Sequence, residues 1–238
     1  MQKEDVVTLE PVSRAILVVD MEKSSERTDT GKADLRAVLY RVLHDALDAA
    51  DLPAGRRRLD DLGDGVLAVA DSEVLPLLDP LPDVVSEGLA RHNAGVRAEA
   101  WLRLRLGVHF GLVARDEHGW VGDAMTTAFR IVNGAGVKSV LKAAGRAQSV
   151  VVVSDPVHDA VVRHGYRGIR PESYGKLVDE GRTVWVRVPG YVQPPLPGDA
   201  PKPTGSATGK VFNAYNNGHV FNADTMNVDA RIGFGGTS

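Results

Sequence analysis

The sequence has no cysteine. Disulfides, iron–sulfur clusters, thiolate zinc sites and cysteine nucleophiles are excluded together. It also lacks an excess of either charge. The 28 Lys and Arg residues against 31 Asp and Glu leave a net charge of -3. That is too little for the basic field that nucleic-acid binding draws on, so no nucleic-acid partner is expected. No apolar run approaches the ~20 residues of a membrane span. The N-terminal "MQKEDVVTLEPVSR" is polar and has no apolar leader core, which sets a cytoplasmic expectation. What is present is an ordinary globular mixture, 43% hydrophobic and 25% charged, over 238 residues. Such a length holds one good domain with something left over.

The apolar patterning interleaves strands and helices. "AILVVD" (15–20) and "SVVVVSD" (149–155) read as buried strands. Leu35, Val38, Leu39, Val42, Leu43, Ala46 and Leu47 recur at helical spacing, with Asp34 placed to cap the start. "RRRLDDLGDGVLAVA" (56–70) predicts a hairpin around Gly63-Asp64-Gly65, its arginines at the exposed start of a strand. "LRLRLGVHFGLVA" (102–114) predicts a long strand, exposed along part of one side. "DAMTTAFRIVNGAGVKSVLKAAG" (123–145) predicts a helix despite Gly134 and Gly136. "PVHDAVVRHG" predicts a helix with Pro156 in its first turn, and "RTVWVRVPG" (182–190) a last strand. Hairpins among crossovers point to an α+β fold, a mixed sheet covered by helices.

Asp20 ends a buried strand, and Asp64 sits in a tight hairpin turn. If the two elements are sheet neighbours, the carboxylates converge on one edge and suit Mg²⁺ or Mn²⁺, hard cations that take oxygen ligands and bridge phosphates. Aspartate also fills both places for local backbone hydrogen bonding alone, as in Asx turns. The seven histidines show no metal-ligand spacing. Trp120 and Trp185 read as core residues, and Lys176 in "SYGKLVDE" as a solvated charge.

The order "AILVVDMEKSS", "DDLGDGVLAVA", "LRLGVHFGLV", "GWVGDAMTTAFRIV" and "VVVSD" resembles the class III adenylate and guanylate cyclases, over about three quarters of the chain, from Ser13 to Pro189. The resemblance implies a ferredoxin-like sheet and a homodimer whose sites lie between subunits. It implies metal binding by Asp20 and Asp64, with a backbone carbonyl from Met21. The expected reaction is attack of a ribose 3′-oxygen on the α-phosphate of a nucleoside triphosphate. In the family an asparagine and an arginine one turn later on a helix meet charge at that phosphate. Arg130 stands at the arginine, but Thr126 replaces the asparagine and offers a single hydroxyl donor. Three residues before the hairpin glycine the family reads the base with lysine or glutamate; Asp60 stands there. The adenine-reading acid has no counterpart, since Gly119 occupies its place. A surface ion pair at Arg130 and a packed helix position at Thr126 are the ordinary readings of those two residues.

Beyond Gly190 the composition changes. "QPPLPGDAPKPTGSATGK" (193–210) reads as a disordered Pro/Gly-rich linker. Past it, Val211-Phe212-Asn213-Ala214 returns as Val220-Phe221-Asn222-Ala223, with Asn216-Asn217-Gly218 as a bend between. A docked hairpin accounts for this pattern. So does a cross-β segment, in which stacked copies ladder Asn on Asn and Phe on Phe. "GHVFNADTMN" resembles bacterial amyloid signalling motifs and the RIP homotypic interaction motif, which implies self-assembly or coupling to a partner protein. The expected organisation is an extension (1–12), a cyclase-like domain (13–190), a linker (191–210) and an assembly motif (211–238). Two functions fit: a cyclase recruited through its tail, and a non-enzymatic nucleotide- or partner-binding module carrying the same tag. Asp20 and Asp64 favour the first; Thr126, Asp60 and Gly119 favour the second.

Overall fold

The structure, a computed structural model, describes residues 10–198. Eight strands form one mixed sheet: β1 (Val12–Met21), β2 (Arg57–Asp61), β3 (Gly65–Ala70), β4 (Leu104–Arg115), β5 (Trp120–Val121), β6 (Ser149–Ser154), β7 (Gly175–Asp179) and β8 (Arg182–Arg187). Their order is β2-β3-β1-β4-β6-β8-β7, with β5 paired to β4. Only β4 and β6 run parallel, and the other pairs are antiparallel. The α+β mixed sheet expected from the interleaved pattern is the fold observed.

Alternation along the strands separates two cores. Leu17, Val19, Ala68 and Leu106 face the side covered by α1 (Asp29–Ala49) and α2 (Leu81–Ala94). Ile16, Val18, Val150 and Val152 face the other, beneath α3 (Asp123–Asn133) and α4 (Ala135–Ala143). A short α5 (Asp155–Ala160) follows β6 directly. Strands β1, β3 and β6 are thus buried on both faces along most of their length, which explains their near-continuous apolar runs. Among the described residues no helix is long and apolar enough to cross a membrane.

Several expectations are corrected. Helix α1 starts five residues before Asp34, with Thr28 accepting from the Gly31 amide at 3.3 Å. The stretch 123–145 is two helices. Gly134 is extended between them, and the Asp179 carboxylate packs where its side chain would be: a Cβ would lie 2.1 Å from Asp179 Oδ2, which accepts the Gly136 amide at 2.8 Å. Asp179 belongs to β7, a strand the sequence pattern did not reveal. Arg105 of β4 is buried rather than on a wet face, and Arg57 is buried against Asp48 and the Leu52 carbonyl. Trp120 and Trp185 are half-buried; Trp185 stacks on His158 with ring centroids 3.5 Å apart. Lys176 is exposed, as expected. Tyr191 and Leu196 pack on the second core, so the packed chain continues past Gly190. Val211, Phe212, Asn213, Val220, Phe221 and Asn222 lie outside the described residues.

Candidate active site

Three strand ends build the site. Asp20 of β1 sits opposite Gly65 of β3 on one side and Arg105 of β4 on the other. Gly65 cannot carry a side chain, because a Cβ would stand 2.2 Å from the Val19 carbonyl oxygen. The β2–β3 turn therefore closes hard against β1. The Met21 amide donates to the Asp64 carbonyl at 3.0 Å, which fixes the turn beside Asp20. Ser24 Oγ donates to Asp64 Oδ2 at 2.7 Å. From α1, Arg36 ion-pairs with Asp61 and donates to the Gly63 carbonyl. Those bonds, Arg36 first and the Gly63 amide second, hold the Asp61 carboxyl down at about 2.

Asp20 and Arg105 form an ion pair with side chains 16% and 9% exposed. Burial nonetheless raises the Asp20 pKa above that of a free carboxyl. Arg105 opposes the shift, nearby Asp64 adds to it, and Lys138 opposes it. The two acids thus sense each other's charge. They open onto a cleft of about 820 Å³, lined also by Met21, Ser24, Lys138 and Lys142.

The structure brings Asp20, Met21 and Asp64 together as expected. It does not bring Asp60, Thr126 or Arg130 to the same cleft. Asp60 is half-buried on β2, opposite Leu67, which is opposite Val18. It therefore shares the sheet face of Asp20, roughly 12 Å away by strand spacing and rise. Thr126 and Arg130 are exposed, one turn apart on the outer side of α3. The inner side of α3, with Ala124, Ala128 and Val132, lies on β4 over Gly111 and Gly107, where a Cβ would come within 2.7 and 2.8 Å of Ala124 and Val132. Arg130 borders a shallow depression with Asp179, Glu180 and Arg182 instead. Sequence reasoning missed Arg105, Ser24, Lys138 and Lys142. Only Arg105 had a signal, an arginine inside an otherwise apolar strand.

Do these residues fit a divalent metal? Among the described residues no group of three or more His, Asp or Glu converges, so an all-protein cage is ruled out there. Mg²⁺ needs none: it takes one or two carboxylates and completes its shell with water and substrate phosphates. Two carboxylates, one held by Ser24 and the other by Arg105, suit a metal that completes its shell with water or phosphate oxygens.

The fold has counterparts among solved structures over about three quarters of the chain. A structure of an adenylate/guanylate cyclase/hydrolase from Silicibacter pomeroyi superposes with a TM-score of 0.51 at 21% identity, over 76% of this chain and 98% of that one. The fold is that of the nucleotide cyclase domains. A bacterial light-regulated adenylyl cyclase matches with a TM-score of 0.53 at 15% identity, over 75% of this chain and 52% of the other's length. The guanylyl cyclase Cya2 matches with a TM-score of 0.50 at 14% identity, over 76% and 93%. At these identities the likeness to cyclase domains is one of fold. No protein-family model matches the sequence. No curated protein is similar to it in sequence.

Proposed function

We propose that the cyclase-like body binds a nucleoside triphosphate with Mg²⁺ or Mn²⁺ and converts it to a cyclic nucleotide and pyrophosphate. The observation that carries this is the convergence of Asp20 and Asp64, fixed by the Met21–Asp64 backbone bond, on a strand-end cleft. Asp20, Asp64 and the Met21 carbonyl would hold the metal, which supplies activation of the attacking hydroxyl and neutralisation of the leaving pyrophosphate. The 3′-oxygen forms a bond to the α-phosphorus, loses its proton, and the α–β bridging bond breaks. Arg130 lies off this cleft in its own chain, so in a two-fold homodimer Arg130 of the partner subunit meets the charge on the α-phosphate. Thr126 adds one donor where two would be stronger. Asp60, on the same sheet face as Asp20, takes the base.

The experiment is incubation of the purified full chain with Mn²⁺ and each common nucleoside triphosphate, with products separated by chromatography. A cyclic nucleotide formed by the parent and absent with Asp64→Asn is the expected result. Calorimetry showing equal nucleotide affinity in parent and Asp64→Asn defeats the reading.

A second reading has specific support. Arg105 already pairs with Asp20, and Thr126 lacks the second donor. A body that binds nucleotide without turning it over would act as a module recruited by its C-terminal segment. In both readings the doubled Val-Phe-Asn-Ala serves as a cross-β assembly motif, for which the repeat and the linker before it are the support. A peptide spanning 209–234 that stays monomeric at high concentration, even when seeded, removes that role.

A further inference from the structure

The sequence pattern gave no role to α4, yet this helix forms a wall of the acidic cleft. It is held at both ends. Asp179 of β7 accepts the Gly136 amide in its first turn at 2.8 Å. At the other end Arg103 donates to the carbonyls of Leu141, Ala144 and Ala147 and ion-pairs with Glu22 at 3.2 Å. A helix fixed this way presents its outward side chains in set positions.

Those side chains are Lys138 and Lys142, one turn apart, both exposed and both lining the cleft. The other cations there are differently disposed. Arg105 is paired with Asp20, and Arg103 with Glu22 and three carbonyls. Lys23 also lines the cleft with an exposed, unpaired ammonium, but from the turn after β1 that carries the acids rather than from α4. The side-chain ammoniums of Lys138 and Lys142 have no hydrogen-bond or ion-pair partner among the described residues. Lys138 is near enough to Asp20 to act on its carboxylate electrostatically. The cleft therefore has two chemically opposite walls. Asp20 and Asp64 repel an anion and attract a cation; two free ammoniums opposite them do the reverse.

We infer that Lys138 and Lys142 hold the outer phosphates of a metal-chelated polyphosphate. An isolated metal would use only the acidic wall, and a bare anion only the basic one. A chain of two or more phosphates carrying a divalent cation satisfies both. Lysine suits the task as a mobile point charge that follows phosphate oxygens without demanding one bidentate geometry. The inference rests on the nucleotide reading above for its ligand class but assigns residues which that reading does not use.

The test measures Mn²⁺-dependent binding of inorganic tripolyphosphate, pyrophosphate and orthophosphate, and of nucleoside triphosphates, to the full chain by calorimetry. The Lys138→Ala/Lys142→Ala double variant is expected to bind tripolyphosphate and nucleoside triphosphates at least tenfold more weakly. Lys138→Arg/Lys142→Arg should stay within about threefold of the parent. Lys32→Ala, on α1 and away from the cleft, should match the parent and controls for general charge. Orthophosphate, a single phosphate that has no second group to place on the lysines once it is on the metal, should bind far more weakly than tripolyphosphate and lose little in the double variant. Triphosphate affinity unchanged in the double variant overturns the lysine assignment and leaves the nucleotide reading standing. Lysine-dependent binding of tripolyphosphate without binding of any nucleoside triphosphate supports the assignment and overturns the nucleotide reading. No binding of either by the parent overturns both.

Discussion

Replacing Asp20 and replacing Asp64 should have the same effect on ligand binding and very different effects on the fold. Asp20→Ala leaves Arg105 in a side chain 9% exposed, with its Nε already lacking a partner. Removing one member of a buried pair costs about 3–5 kcal/mol. Asp20 is partly exposed where it lines the cleft, so the lower figure applies, about 3 kcal/mol. For a folded unit of 150–250 residues each kcal/mol moves Tm by about 2–4 °C, giving a fall of about 6–12 °C. Asp64 is exposed and loses only its bond from Ser24, at about 0.5–1.5 kcal/mol, or roughly 1–6 °C. Differential scanning calorimetry on the ligand-free chains measures both. In Asp20→Ala/Arg105→Met the orphaned charge is gone, and most of the loss should return. With Mn²⁺ and triphosphate at a hundred times Kd, the parent should gain about 2.7 kcal/mol and neither aspartate variant should. If Asp20→Ala and Asp64→Ala melt together, or if Arg105→Met recovers nothing, the buried pair is not what fixes Asp20.

Four further predictions use other parts of the body. Gly107→Ala puts a Cβ 2.8 Å from Val132, so it should cost about 1–3 kcal/mol in urea denaturation, while Gly145→Ala, with nothing within 4 Å, should be neutral or slightly stabilising. Mixed dimers of inactive Asp64→Asn and inactive Arg130→Ala chains should recover part of the activity, because one composite site keeps both groups; no recovery in verified heterodimers rules out shared sites. Mn²⁺-dependent binding should weaken on acidification at a pH above the ordinary carboxyl value of 3.8, since the raised Asp20 pKa lets protons compete earlier. The fold responds with opposite signs at two aspartates. The raised Asp20 favours the folded state most below 3.8 and loses that contribution as pH rises through its folded value. Asp61 stabilises above 3.8 and loses its contribution as pH falls toward 2. Denaturation series from pH 7 to pH 3 on the parent, Asp20→Asn and Asp61→Asn separate the two.

The strands were legible because burial on both faces leaves β-branched runs such as 149–154 that read as little else. Asp20 and Asp64 were legible because a strand end and a Gly-Asp-Gly turn are local patterns. Thr28 was not preferred over Asp34 as a cap, since both are good capping residues and only the observed turn decides between them. The break at Gly134 was hidden because the carboxylate that packs on it and accepts the Gly136 amide, Asp179, lies 45 residues downstream. Lys138 and Lys142 were invisible for a related reason. A lysine pair at helical spacing is an ordinary solvated face until the fold sets an acidic pair across from it.

Strand β7 reaches two places that the sequence keeps far apart. At its start, Gly175 lies against Pro194 and Leu196, where a Cβ would meet Pro194 Cγ at 2.7 Å. At its end, Asp179 grips the first turn of α4. The chain leaving the body at 194–198 is thus tethered to the strand whose far end sets the two lysines. Tension applied to that exit would travel five residues of extended backbone and arrive at one carboxylate–amide bond. One end of that series is an apolar contact and the other a single hydrogen bond, whereas β7 between them is held by its ladder with β8, so either end should yield before the sheet does.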